Sequence, residues 1–163
     1  NSTTPLVLDA DALNCVAKQP EILLRKKAPI IITPHPGEMS RLTGLATPLV
    51  NAERQRVALD FAQKYGVVTV LKGAGTVIAS PNGKVLVNPT GNSGMATGGS
   101  GDVLAGMTAS ILAQGASAFS SAAAAVYLHG LAGDIAAEKY GKISMLPTDL
   151  INCIPLAYKR CGF

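Results

Sequence analysis

Asn88-Pro-Thr-Gly-Asn-Ser-Gly-Met-Ala-Thr-Gly-Gly-Ser-Gly-Asp102 runs straight into the apolar stretch Val103-Leu-Ala-Gly-Met107. Five glycines fall between Asn88 and Gly101. Glycine lets backbone N–H groups approach a ligand closely and takes positive φ without strain. A helix that starts there adds unpaired N–H groups and the positive end of its dipole. Loop and helix together predict an anion site suited to phosphate. No GxxxxGK[ST] occurs in the chain, and the glycine spacing is not that of the dinucleotide fingerprint GxGxxG.

Outward from this loop, short aliphatic runs alternate with helical stretches. Leu6 to Leu8 ends in Asp9, and a helix is predicted from Ala10 to about Lys18. Ile30 to Ile32 is a second run, followed by a short helix from Pro36 to about Thr43 that Gly44 ends. From Asn51 to Tyr65, Val57, Phe61 and Tyr65 recur at helical spacing, and Gly66 closes the helix. Val67 to Leu71 is a third run, and Thr76 to Ser80 with Lys84 to Val87 flank the hairpin signal Pro81-Asn82-Gly83. Helices follow at about Gly101 to Gln114, Ser117 to Tyr140, and from near Thr148 with Asp149 in the first turn. The pattern predicts an α/β fold, its sheet mainly parallel with an antiparallel hairpin towards one edge. In such sheets ligands gather at the carboxyl ends of the strands. Asp9, Thr33 to Glu38, Lys72 to Thr76 and Asn88 to Gly101 all follow strand ends, so they are expected on one rim.

Composition bounds the rest. With 163 residues, 48% hydrophobic and 15% charged, the chain is no disordered tail and makes one domain. Aromatics are 4% and Trp is absent, so the core is aliphatic. The net charge is +4, with one small basic group at Arg25, Lys26 and Lys27. There is no basic stripe with interleaved aromatics, so nucleic acid is not the expected partner. Cys15, Cys153 and Cys161 form no CxxC, which points to neither a disulfide framework nor a zinc knuckle and suits a reducing cytoplasm. Val103 to Gly133 carries no charge and is long enough to span a membrane. Its serines, threonine, Gln114, Gly115 and His129 instead read as two buried helices, with no membrane. The Asn1-Ser-Thr sequon sits at the extreme terminus and carries no weight. A strand so soon after Asn1 leads us to expect the C-terminal portion of a longer domain.

Each candidate residue has a structural reading beside its chemical one. Asp102 at a helix start is either a cap or, after a phosphate cradle, a base that accepts a proton from an attacking hydroxyl. Lys72-Gly-Ala-Gly-Thr76 is either a turn with an exposed lysine or a second nucleotide contact. In Thr33-Pro-His-Pro-Gly-Glu38 the prolines fix φ and hold His35 in one direction, as a substrate contact requires. Glu38 also reads as a charge at a helix start. Asp9 and Asp11 leave two readings open: one caps the next helix, or one steers a magnesium-bound water or a substrate hydroxyl. His129 is assigned to packing or a helix contact, and Met95 and Met107 are most simply packing. His35 and His129 are the only histidines, and no HExxH occurs.

Leu8-Asp-Ala-Asp-Ala-Leu-Asn14, Thr33-Pro-His-Pro-Gly-Glu38, Lys72-Gly-Ala-Gly-Thr76 and Gly91-Asn-Ser-Gly-Met-Ala-Thr-Gly-Gly-Ser-Gly-Asp102 occur in this order. Together they closely resemble the nucleotide-dependent NAD(P)H-hydrate dehydratases of the ribokinase-like superfamily, over Pro5 to about Leu150. The resemblance implies a three-layer sandwich and a repair enzyme. Such an enzyme dehydrates the S form of hydrated NADH or NADPH, with ADP or ATP as phosphoryl donor and Mg²⁺ alongside. It implies Asp102 as the catalytic and substrate-contacting aspartate, and His35, Pro36, Gly37, Glu38 and Arg41 as substrate-binding. It implies Lys72, Gly73, Ala74, Gly75 and Thr76 as one nucleotide-binding stretch. The second is Asn92, Ser93, Gly94, Met95, Ala96, Thr97, Gly98, Gly99, Ser100 and Gly101. It also implies a homo-oligomer, strands preceding those seen here, and in some relatives a fused epimerase domain. Two rival readings are a ribokinase-like kinase for a vitamin-precursor alcohol and a non-catalytic nucleotide-binding fragment.

Overall fold

Five short strands form one sheet in the order β1-β2-β3-β4-β5: Leu6–Leu8, Ile30–Ile32, Val68–Leu71, Val77–Ala79 and Val85–Val87. The computed structural model describes residues 2–163, so the Asn1 sequon lies outside it. β1 to β3 are parallel, and β4 and β5 close the edge as an antiparallel hairpin. Ile31 stands beside Val7 and Val68, and Val70 beside Ile78. The sheet is therefore mixed, parallel where helices connect the strands and antiparallel where the tight turn does.

Helices cover both faces. α1 (Asp11–Ala17), a 3₁₀ turn (Pro20–Arg25), α2 (Pro36–Thr43), α3 (Thr47–Ala52) and α4 (Arg54–Tyr65) form one layer. α5 (Ser100–Ala113) and α6 (Ala118–Tyr140) cover the other face, with α7 (Pro147–Arg160) packed on α6. The apolar run of β3 is explained by this sandwich. Val67 and Leu71 pack with Phe61 and Ala58 of α4, while Val68 and Val70 pack with Leu104, Ala122 and Val126 of α5 and α6. A strand covered on both faces needs no polar alternation.

Two features differ from expectation. The helix expected from Asn51 to Tyr65 is broken at Glu53, whose φ of −124° and ψ of 39° end α3 and start α4. The 3₁₀ turn at Pro20–Arg25 had no helical period to announce it, yet it buries Leu23. The small basic group is divided by this turn. Lys26 donates from Nζ to the Tyr65 carbonyl at 2.8 Å, a cation at the C-terminal end of α4. The charge-free stretch is split between α5 and α6, and no described helix is long and apolar enough to cross a membrane. The three cysteines are free. β1 has a neighbour on one side only among the described residues, and an apolar groove of about 370 Å³ lies beside it, lined in part by Leu6, Leu8, Ile22 and Leu23.

Candidate active site

The carboxyl ends of β1, β2 and β3 are tied together by charge. Lys72 follows β3 and donates from Nζ to Asp9 Oδ1 at 2.6 Å, with Glu38 Oε2 at 3.9 Å. Its own backbone N–H donates to the Pro34 carbonyl at 2.8 Å. Next to Asp9, Ala10, with φ of 49°, is the one non-glycine residue at positive φ among the described residues. Strain of this kind persists where the surroundings impose it, and it clusters at functional sites. Ala10, not Asp9, stands at the N-cap position of α1, and no side chain caps that helix. The start of α5 closes the group. A Cβ placed on Gly101 would stand 3.4 Å from Lys72 Nζ and 3.7 Å from Asp9 Oδ2. All four predicted segments thus meet on one rim.

His35 caps α2. Its Nδ1 accepts from the Gly37 and Glu38 amides at 3.0 and 3.3 Å, and Glu38 Oε2 accepts from the His35 amide at 2.8 Å. This is a capping box with histidine where serine or threonine is usual. The cap, more than the flanking prolines, sets the ring, and its Nε2 lies 3.5 Å from Glu38 Oε1. The His35 side chain is half exposed, whereas Glu38 is buried and is no mere surface charge. Pro36 and Gly37 are the first two residues of α2, where Pro needs no N–H partner. Arg41 donates from Nε to Asn14 Oδ1 at 2.9 Å, which ties α2 to α1.

The glycine loop divides into two parts. Residues 90–95 dock on α6. Asp134 Oδ2 accepts from the Gly91 amide at 2.8 Å, and Asp134 Oδ1 from Asn92 Nδ2 at 2.9 Å. Asn92 Oδ1 accepts from the Gly94 amide, so the whole Asn92 amide is committed within the loop and its α6 partners. Thr90 and Met95 fit against Gly130 and Gly133, where any side chain would collide with them. Residues 96–101 then turn into α5 through Gly99, at φ of 97°. Among the described residues the amides of Gly101 and Asp102 have no backbone acceptor. Asp102 lies exposed in the first turn of α5 and forms no ion pair there.

Three contributors were not recognised from sequence as parts of the site. Asp134 is the first charge after the charge-free stretch, which was the available signal. Arg54 donates from Nη2 to the carbonyls of Leu71 and Gly75 at 2.8 and 3.4 Å, and so braces the Lys72–Thr76 loop. His129 was assigned to a helix contact, and the contact is with the site: its Nε2 lies 2.9 Å from the Ser100 carbonyl. Nε2 must donate there, which sets the tautomer. Burial lowers the His129 pKa to about 4, against the opposing effect of that hydrogen bond and with a smaller contribution from the nearby Lys72 charge. Thr76 donates to the Gly73 carbonyl at 3.0 Å and closes its own loop.

Fold and rim together define a ribokinase-like α/β protein. The crystal structure of a ribokinase-like superfamily protein from Enterococcus faecalis superposes with a TM-score of 0.79 at 33% identity, covering 95% of this chain and 52% of that one. The family model described as NAD(P)H-hydrate dehydratase matches residues 1–156, and the chain belongs to that family. The bifunctional NAD(P)H-hydrate repair enzyme Nnr of Moorella thermoacetica is 47% identical over 156 residues, which are 96% of this chain and 29% of that protein. The ADP/ATP-dependent NAD(P)H-hydrate dehydratase of Bacillus subtilis, co-crystallized with ATP/Mg2+, gives a TM-score of 0.87 at 37% identity, covering 96% of this chain and 55% of that one. The chain therefore spans between about a third and about half of these relatives' lengths.

Proposed function

We propose that this rim dehydrates the S form of hydrated NADH or NADPH, with ADP or ATP as phosphoryl donor, restoring the reduced cofactor. The observation that carries the reading is the placement of Asp102. It stands exposed beside the free amides of α5, one residue from Gly101, where an added Cβ would meet Lys72 and Asp9. Hydroxide is a poor leaving group and phosphate a good one. Transfer of the terminal phosphoryl group to the ring hydroxyl would make a phosphate ester, with Asp102 taking the hydroxyl proton. The ring nitrogen then pushes electrons into the ring, the C–O bond breaks, phosphate leaves and a ring carbon loses its proton. ADP would yield AMP and phosphate. The α5 amides and the Lys72 ammonium stabilise charge on the phosphoryl oxygens. The half-exposed His35 ring at the start of α2 is the substrate contact in this reading.

Magnesium fits this rim as an ion carried by the nucleotide. Among the described residues no group of three or more His, Cys, Asp or Glu could hold a metal. Mg²⁺ keeps several waters and binds mainly through phosphates and one or two carboxylates. Asp9, whose Oδ2 lies on the Gly101 side while Oδ1 accepts from Lys72, is a carboxylate on this rim that could meet it. The ion would screen the phosphate charge.

We also take the described residues as the C-terminal part of one domain. The one-sided pairing of β1 and the apolar groove beside it support this. A fused epimerase domain, a symmetric homo-oligomer and a cytoplasmic location complete the reading. Exposed Ile143, Leu146 and Ile151 support the oligomer, and sedimentation tests it. The activity test is regeneration of NADH absorbance from hydrated NADH with Mg²⁺ and either ADP or ATP. It compares this chain with a form extended to the length of its relatives. Regeneration by either form is expected. Silence from a folded, nucleotide-binding extended form with both donors overturns the reading.

A further inference from the structure

We propose that Arg54 is the positioning residue of the Lys72–Thr76 loop, its guanidinium holding the carbonyls of Leu71 and Gly75 so that the loop is shaped before nucleotide arrives. The proposal rests on the nucleotide reading above.

Several unfavourable circumstances coincide at this one side chain. Arg54 is the first residue of α4, where the helix dipole repels a cation. Burial lowers its pKa. Its Nε is buried without a hydrogen-bond partner among the described residues. It forms no ion pair there, since the neighbouring Glu53 is engaged by Arg56 instead. A buried donor without an acceptor is unfavourable, so such a placement needs compensation.

The compensation is the loop. Nη2 bridges the carbonyl that precedes the loop and one within it, 2.8 Å to Leu71 and 3.4 Å to Gly75. Gly73 is matched to the arginine. Its φ is 146°, and a Cβ there would overlap the guanidinium. The break at Glu53 separates α3 from α4, and Arg54, the first residue of α4, reaches the carbonyl of Leu71 at the end of β3. Arg54 therefore acts from beneath the loop, while Lys72 faces Asp9 and Gly101 on the rim.

The test compares parent, R54M, R54K and G73A in the extended chain. It reads amide hydrogen exchange at residues 73–76, affinity for Mg²⁺-ADP and Mg²⁺-ATP, and KM for hydrated NADH. R54M should speed loop exchange and weaken nucleotide binding, each by about tenfold, as loss of roughly 1.4 kcal/mol of charged hydrogen bonding implies. KM for hydrated NADH should stay within about twofold, a split that general loss of stability would not produce. R54K should fall between. G73A should displace the arginine and reproduce the selective loss, which keeps the test open if R54M does not fold. Folded R54M or G73A with parental exchange and nucleotide affinity overturns the proposal. A parent that binds neither nucleotide overturns the functional reading instead, and the exchange comparison still decides whether Arg54 holds the loop.

Discussion

Lys72 does not swing freely as a phosphate contact, because Asp9 and Glu38 hold its ammonium beside Gly101. Its position after a strand was legible from the sequence. Its partners were not, since Asp9 lies 63 residues away and only the parallel sheet brings β1 and β3 to the same rim. Glu38 was read as a charge at a helix start and, by resemblance, as substrate-binding; its burial was not legible, because burial is a property of the packing around α2, not of the Thr33–Glu38 motif. His35 stands at capping-box spacing from Glu38, but histidine is not a usual cap. Lys72→Met should weaken nucleotide affinity about tenfold by removing a charge-assisted contact. It should also lower stability by an amount on the order of 3 kcal/mol, since two carboxylates lose their counter-charge. Titration calorimetry and chemical denaturation measure the two effects, and unchanged affinity removes Lys72 from the phosphate site.

At the scale of elements, the glycine loop is half anchor and half cradle. Its glycine content and the helix behind it were readable, because both are local. The anchoring was not, because it depends on which face of α6 meets the loop. Gly130, Gly133 and Asp134 form that face, receiving Thr90, Met95 and the Gly91 amide. Within an Ala-rich helix the small residues had no visible reason. Asp134→Ala should release residues 90–95 while leaving the sheet intact. Loss of two hydrogen bonds to a carboxylate is expected to cost the loop about 2–3 kcal/mol locally. Faster exchange at the Gly91 and Gly94 amides with little change in global stability is the expected outcome. Loss of the whole fold would show that the loop is core, not a hinged cradle.

Across the whole molecule, the alternation of strands and helices was legible because the aliphatic runs are continuous and the longer helices have periods or stop signals, whereas the three-layer order was expected only from the resemblance. The break at Glu53 and the 3₁₀ turn were not, because tertiary contacts, not local propensity, impose them. His129 joins the scales, since one buried ring fastens α6 to the first residue of α5. Its folded pKa of about 4 lies below the unfolded 6.5, so between these values the unfolded chain binds the extra proton. The stabilisation is complete above about pH 6.5 and is lost progressively as pH falls towards 4. The loss amounts to roughly 3 kcal/mol at about 1.4 kcal/mol per pKa unit. Comparing His129→Gln with the parent isolates this contribution. Denaturation midpoints of the two should converge on acidification, and parallel pH curves would refute the buried neutral ring.

The central proposal concerns Asp102, taken as a base beside a phosphate cradle. The most direct measurement is turnover of hydrated NADH by Asp102→Asn in the extended chain, with nucleotide affinity measured in the same preparation. Affinity within about twofold of the parent and turnover reduced by roughly 10²–10⁴-fold are the expected pair. Near-parental turnover would contradict the account, because the proton would then be leaving by another route.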